Sequence, residues 1–297
     1  MENICNACPR KCGALRQGDG SLGVCGVPRE FVVSRVSLHP WEEPPISGEK
    51  GSGTVFFAGC NLRCVFCQNK PISQGHQGKM MTGAELEAAM FDLRDRGATN
   101  INLVTPTHYA EALAPLLARI KPALGIPIVY NCGGYESVDT LKTLEGLIDV
   151  YLPDFKYASG ELAKKYSGAP DYPEYAEPAL AEMLRQVGRP AFGEDGTLKK
   201  GVIVRHLVLP GNRQDSINVL SRLAERFGTK DYLLSLLWQY TPEFAKDTPY
   251  KELHRRVTTF EYESVADHAR RLGFEGFFQE KASASAEYTP PFDEDPS

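Results

Sequence analysis

No run in this sequence approaches the roughly 20 apolar residues that a membrane-spanning helix needs. Positive charge is not in excess either: 33 Lys and Arg stand against 38 Asp and Glu, a net charge of -5. That balance gives no electrostatic case for binding nucleic acid or an anionic membrane surface. The opening Met-Glu-Asn-Ile-Cys lacks the basic and apolar regions of a signal peptide, so a cytoplasmic protein is expected. In a reducing compartment the 8 cysteines read as metal ligands rather than disulfides. What the chain does have is length and apolar content, 297 residues at 42% hydrophobic, enough for one large core or a core plus a small module.

The most specific pattern lies in Phe56-Phe57-Ala58-Gly59-Cys60-Asn61-Leu62-Arg63-Cys64-Val65-Phe66-Cys67. Three thiolates spaced Cys-x3-Cys-x2-Cys can hold three irons of a cubane cluster and leave the fourth without a protein ligand. An open iron invites a substrate or cosubstrate. Structural zinc prefers four protein ligands and would be left short here.

That motif, with Phe66 before its last cysteine, resembles the signature of radical S-adenosylmethionine enzymes. More narrowly, the chain looks like the branch related to pyruvate formate-lyase activating enzyme, with the similarity running from about Gly51 to about Tyr240. The resemblance implies a [4Fe–4S] cluster on Cys60, Cys64 and Cys67, S-adenosylmethionine on the open iron, and Phe66 near the adenine. It also implies reductive cleavage to a 5′-deoxyadenosyl radical and a flavodoxin- or ferredoxin-type reductant. Its fold would be an incomplete (βα)6 barrel.

The residues themselves agree with an α/β chain. Candidate strands are Thr54–Ala58, Asn100–Val104, Pro127–Tyr130, Ile148–Leu152, Val202–Leu209 and Tyr232–Leu236, with helical patterns between them. Six alternations argue for a parallel sheet with right-handed crossovers, its site at the carboxyl ends of the strands. Thr82-Gly83-Ala84-Glu85 is a capping box opening a helix that stops at Gly97. Further helices are expected over 107–120, 136–145, 171–187 and 214–227.

Residues 1–50 break the rhythm and are expected as a cysteine-rich metal-binding module and linker. Cys5, Cys8, Cys12 and Cys25 form Cys-x2-Cys-x3-Cys-x12-Cys, which suits either a zinc tetrahedron or a second [4Fe–4S] cluster. His39 to Gly48, with three prolines, looks like a stiff linker. The barrel should span 51–281, and the small, acidic, proline-containing stretch 282–297 should be disordered.

Asp154 and Lys156 follow the fourth expected strand, where a barrel places active-site groups. They resemble an Asp-x-Lys segment of activating enzymes, implying lysine on the carboxylate of S-adenosylmethionine and aspartate near its sulfonium. Arg205 is a charge inside an apolar strand and needs an anionic partner; in the resemblance it is a further cofactor contact. His206 should face the opposite way, as a hydrogen-bonded structural histidine.

Thr105-Pro106-Thr107-His108 departs from the resemblance, since most relatives carry Gly-Gly-Glu there to hold the amino group of S-adenosylmethionine. The Thr105 and Thr107 hydroxyls are candidates to accept from that amine, unless Thr107 only caps a helix, and His108 is a candidate to act on substrate. Asn131 is expected at the same mouth as a cofactor contact. Cys132 is a candidate hydrogen-atom donor, extra ligand or core residue, and Trp238-Gln239-Tyr240 a candidate adenosine wall. The resemblance implies as substrate a glycine of a partner glycyl-radical protein, or alternatively a small molecule or peptide. A non-catalytic iron–sulfur or zinc protein is the reading from another class.

Overall fold

In a computed structural model, residues 4–16 and 22–279 are described; the acidic tail and its expected disorder lie outside them. The chain runs β1 (Phe31–His39), α1 (Pro44–Ser47), β2 (Ser52–Phe57), α2 (Lys70–Ser73), β3 (Lys79–Met81), α3 (Gly83–Asp95), β4 (Ile101–Val104) and α4 (Ala110–Leu124). It continues through β5 (Ile128–Cys132), α5 (Val138–Lys142), β6 (Val150–Pro153), α6 (Gly160–Ser167), α7 (Tyr172–Val187), β7 (Ala191–Phe192), β8 (Leu198–Leu207), α8 (Arg213–Phe227), β9 (Leu233–Leu237), α9 (Thr259–Leu272) and β10 (Gly276–Phe278).

The main path orders these strands β10-β9-β8-β6-β5-β4-β2-β1-β3. From β2 to β10 every neighbour pairs in parallel, while β1 joins antiparallel to both β2 and β3. The two outer strands, β3 and β10, do not pair, so the barrel is unclosed. All six expected strands are present. The sequence suggests only a short strand over Arg35–Leu38 before these six; β1 runs nine residues there and makes the N-terminal region part of the main sheet.

Local chemistry sets the helix starts. Thr82 Oγ1 accepts from the Glu85 amide at 3.2 Å, and Glu85 Oε2 accepts from the Thr82 amide at 2.7 Å. Thr258 and Glu261 repeat the same box at α9, a helix the sequence reading passed over. The expected helix from Thr107 begins instead as a 3-10 turn over Thr107–Tyr109 before α4.

Alternation along the strands builds two apolar layers. Leu103, Tyr130, Tyr151, Val202 and Val204 join the large core shared with the helices. Val129, Val150, Leu152 and Ile203 form a smaller cluster with Leu198 and Ile46 of α1. The segment expected as a stiff linker is therefore an internal element. Its prolines fit the first turn of α1, where an amide hydrogen has no helical partner, and Ile46 is fully buried. The polar residues beside it stand where β4, β5 and β8 open toward the cavity.

Candidate active site

A cavity of about 240 Å³ opens at the carboxyl ends of the parallel strands. Cys60, Cys64, Cys67 and Phe66 line one side, and Thr105, Asn131, Cys132, Asp154, Lys156 and Arg205 the other. Sequence reasoning had selected all ten. His39 at the end of β1 and Trp41 and Glu42 from the segment between β1 and β2 add to the wall.

The loop after β2 supplies the cysteines. Ser167 Oγ donates to Cys64 Sγ at 3.0 Å, and the Leu62 amide to Cys60 Sγ at 3.4 Å. Burial pushes the Cys60 and Cys67 thiols above their ordinary range, with the neighbouring cysteines adding to the effect. Metal coordination overcomes that penalty by deprotonating the thiol outright. Phe66 is buried, edge-on to Tyr166 and Tyr240.

Opposite lies a chain of charges. Lys156 Nζ donates to Asp154 Oδ2 at 2.5 Å, and Arg205 Nε donates to Asp154 Oδ1 at 2.9 Å. Arg205 also donates to Asn131 Oδ1 at 2.5 Å and faces Glu42 at 3.6 Å. Burial alone would raise the Asp154 carboxyl, but Arg205 and Lys156 outweigh it and hold it below its ordinary value. Burial likewise opposes the charge on Lys156, yet Asp154 and Cys64 keep its ammonium above the usual range. The ordering of Asp154 also depends on Gly134, whose φ of 77° brings the chain so near that a Cβ would strike the Asp154 carbonyl.

Glu42 is the residue the sequence reading missed. Its Oε1 accepts from Asn102 Nδ2 at 3.0 Å and Asn131 Nδ2 at 3.3 Å. Burial raises its carboxyl against the pull of Arg205. The signal was present as an acidic pair, Glu42-Glu43, inside a proline-rich stretch, and in the fold Glu43 is buried as well.

Two candidates sit differently from expectation. His108 is buried, with Nε2 donating to the Ala58 carbonyl at 2.8 Å, and it does not line the cavity. Burial and nearby Arg16 push its imidazole down to about 3, so it stays neutral. Thr107 Oγ1 donates to buried Glu136 at 2.7 Å, away from any amine in the cavity. Glu136 also accepts from the Tyr130 hydroxyl at 3.0 Å, and Cys132 is buried while still lining the cavity, which agrees with its reading as a core residue and leaves its other readings open. The 3-10 turn after β4 carries both side chains inward, Thr107 to the buried Glu136 and His108 to the Ala58 carbonyl. His206 matches its structural reading, with Nδ1 donating to the Phe155 carbonyl at 2.7 Å. Trp238 stacks on Tyr262, and only Gln239 of that trio reaches the cavity.

The family model of the radical SAM superfamily matches residues 54–224. The chain belongs to that superfamily. It is 27% identical over 280 residues to the uncharacterized protein MJ0674 of Methanocaldococcus jannaschii, covering 91% of this chain and 75% of that one. Among solved structures it is similar to Streptococcus suis SuiB bound to S-adenosylmethionine, with a TM-score of 0.49 and 14% identity over 74% of this chain and 47% of SuiB. It is also similar to methylornithine synthase (PylB), at a TM-score of 0.46 and 15% identity over 73% of this chain and 63% of that one. The chain thus spans under half of SuiB. Membership implies a [4Fe–4S] cluster, S-adenosylmethionine and radical chemistry, and the donor set fits: Cys60, Cys64 and Cys67 line the cavity from one loop, while the fourth cysteine there, Cys132, comes from the end of β5. No helix among the described residues is long and apolar enough to cross a membrane.

Proposed function

We propose that Cys60, Cys64 and Cys67 ligate the [4Fe–4S] cluster and that the charged wall facing them holds S-adenosylmethionine. The observation that carries this is the meeting of the three thiols and the Asp154–Lys156–Arg205 chain on one cavity. When bound, the pair supplies a 5′-deoxyadenosyl radical for hydrogen abstraction.

The residues then have separate tasks. Lys156 moves from Asp154 to the incoming carboxylate, an exchange of one charge-assisted bond for another. Asp154 stays ionised beside Arg205 and suits the positive sulfonium. Phe66 and Leu62 exclude water near the adenine side. The Thr105 hydroxyl and the Asn131 side-chain oxygen accept from the amine in place of the missing Gly-Gly-Glu acid. Cys5, Cys8, Cys12 and Cys25 hold a second metal.

The substrate reading we favour is a glycine of a partner protein, activated by hydrogen abstraction, with a flavodoxin- or ferredoxin-type reductant. The rim supports it: Trp41 is 56% exposed beside the cavity, where an incoming chain would pass. Glu42 on the inner wall favours a second reading, a small molecule or peptide carrying a cationic nitrogen. The test is anaerobic reconstitution followed by spectroscopy with S-adenosylmethionine. The wild-type cluster signal should shift and Cys64→Ala should lose it; a normal response in the variant refutes the assignment. Deuterium transfer from labelled glycyl-radical protein, against labelled amines, separates the substrates.

A further inference from the structure

The three thiols of the cavity are held by unlike partners. Cys60 Sγ accepts from a backbone amide, that of Leu62, at 3.4 Å. Cys67 Sγ lies 3.4 Å from the Ser73 hydroxyl. Cys64 Sγ accepts from the Ser167 hydroxyl at 3.0 Å, and Ser167 Oγ in turn lies 2.7 Å from the Tyr157 hydroxyl. Ser167 and Tyr157 are both buried, at 0% and 1% exposure, so water does not compete for these bonds.

The chain fixes this arrangement from both ends. Ser167 is the last residue of α6, and Gly168 after it turns left-handed at φ 62°. The Ser167 carbonyl accepts from the Arg10 guanidinium at 3.1 Å and the Arg63 amide at 3.4 Å, and the Tyr166 carbonyl accepts from the Val65 amide at 2.9 Å. Backbone bonds on either side of Cys64 therefore lay the end of α6 against the cysteine loop. Tyr157 comes from the loop after β6. Asp154 and Lys156 of that loop line the cavity, while Phe155 and Tyr157 join the large core. Tyr172 meets the Tyr157 ring edge-on at 5.5 Å. One loop thus faces the cavity with its charges and reaches behind Cys64 with its phenol.

A hydroxyl has one proton to give, and a thiolate bound to iron has none. Ser167 therefore gives its proton to Cys64, which leaves its oxygen to accept from Tyr157. Both donors point toward the sulfur, and each bond strengthens the other. Burial and the nearby Cys64 hold the Tyr157 phenol far above its ordinary range, so it stays a donor. Hydrogen bonds to ligand sulfurs are among the levers that set a cluster's potential. Their pull is greater on the reduced cluster, which carries one more negative charge.

We infer that Tyr157 and Ser167 form a hydroxyl relay onto Cys64 that raises the reduction potential of the cavity cluster and brings it within reach of its electron donor. The relay rests on the cluster assignment in the proposed function. Reduction adds one electron from the flavodoxin- or ferredoxin-type donor; no bond is made or broken, and Ser167 and Tyr157 keep their protons. Both are positioning residues, since neither lines the cavity.

Anaerobic redox titration of the reconstituted full chain, followed by the EPR signal of the reduced cluster without S-adenosylmethionine, tests the relay. Ser167→Ala should lower the reduced fraction at a fixed donor potential about tenfold, a fall of about 59 mV for one electron. Tyr157→Phe keeps the ring and should shift the midpoint the same way by less. Ser167→Thr returns the hydroxyl and should recover most of the loss. Tyr135→Phe removes a buried phenol that faces Asp171 instead of a cluster ligand, and should leave the midpoint alone. A wild-type midpoint in Ser167→Ala, or a fall in Tyr135→Phe as large as that in Tyr157→Phe, overturns the inference. Should Ser167→Ala lose its cluster, Tyr157→Phe decides alone, and a wild-type midpoint there overturns it. A cluster that survives Cys64→Ala overturns both the relay and the proposed function. A wild-type cluster whose spectrum ignores S-adenosylmethionine sinks only the cofactor reading, and the midpoints still judge the relay.

Discussion

The loops after β4 and β6 begin alike, each leaving a parallel strand at the same end of the sheet beside a proline, yet they do opposite things. The β6 loop carries Asp154 and Lys156 into the cavity, where Arg205 of β8 meets them. The β4 loop carries Thr107 and His108 into the interior, where Glu136 and the Ala58 carbonyl meet them. Position at a barrel mouth therefore does not decide direction. A polar side chain turns toward whichever partner satisfies it, and neutral groups can be satisfied in the core at far lower cost than charged ones.

The largest test of that contrast removes the charge at its centre. Arg205→Leu leaves Asp154 and Glu42 buried without their shared cation. Breaking such a group typically costs about 3–5 kcal/mol, so the chemical-denaturation midpoint should fall steeply while the three thiols remain. A loss under about 1 kcal/mol would show that water reaches these carboxylates and that they are not the interior network described here.

The acid behind β4 should announce itself through pH. Burial, a larger effect than its hydrogen bonds, raises the Glu136 carboxyl to about 7 from an ordinary 4.5. Its folded pKa lies above its unfolded one, so its contribution is complete below about pH 4.5 and is lost as pH rises through about 7. The span is at most about 3 kcal/mol at 1.36 kcal/mol per unit. Glu136→Gln should flatten stability between those pH values relative to wild type. Parallel curves for the two chains would mean that Glu136 is ionised and well solvated.

Lys156→Ala tests the other loop at the ligand. A charge-assisted contact is worth about 1.5–3 kcal/mol, so S-adenosylmethionine affinity should drop about tenfold or more by calorimetry with the cluster still assembled. His108→Gln should leave that affinity alone, because His108 does not line the cavity. Should His108→Gln weaken binding as much as Lys156→Ala, the contrast between the loops fails.

How much of this was legible beforehand follows the same division. The three cysteines, Asp154, Lys156 and Arg205 could be read because charge or sulfur in an apolar strand context demands an explanation within a few residues. The six parallel strands could be read because their runs are short, β-branched and separated by helical patterns. Thr107 and His108 could not, because the partner that turns Thr107 inward, Glu136, lies 29 residues on. Glu42 escaped for a different reason: proline content marks a segment as stiff but does not say whether it lies outside the barrel or within it. The length of β1 was hidden too, since Arg35 and Ser37 interrupt its apolar pattern while its antiparallel partner β2 begins beyond the prolines.

The smallest effect belongs to the hinge between the two behaviours. Thr105 lines the cavity with φ at 59°, left-handed backbone that a β-branched residue adopts only under constraint. Its amide is held by the Asn131 carbonyl at 2.8 Å, so the conformation is fixed from the neighbouring strand. Such strain is worth about 1–3 kcal/mol, and glycine would relieve it while giving back about 1 kcal/mol in unfolded-chain entropy. Thr105→Gly should therefore leave stability within about 1 kcal/mol of wild type or slightly above it. Affinity for S-adenosylmethionine is the informative readout. A drop without any loss of stability assigns the Thr105 hydroxyl to the ligand's amine. Unchanged affinity assigns the strained turn a purely geometric task, namely ending β4 so that Thr107 and His108 swing into the core and leave the mouth to Asn131, Asp154 and Lys156.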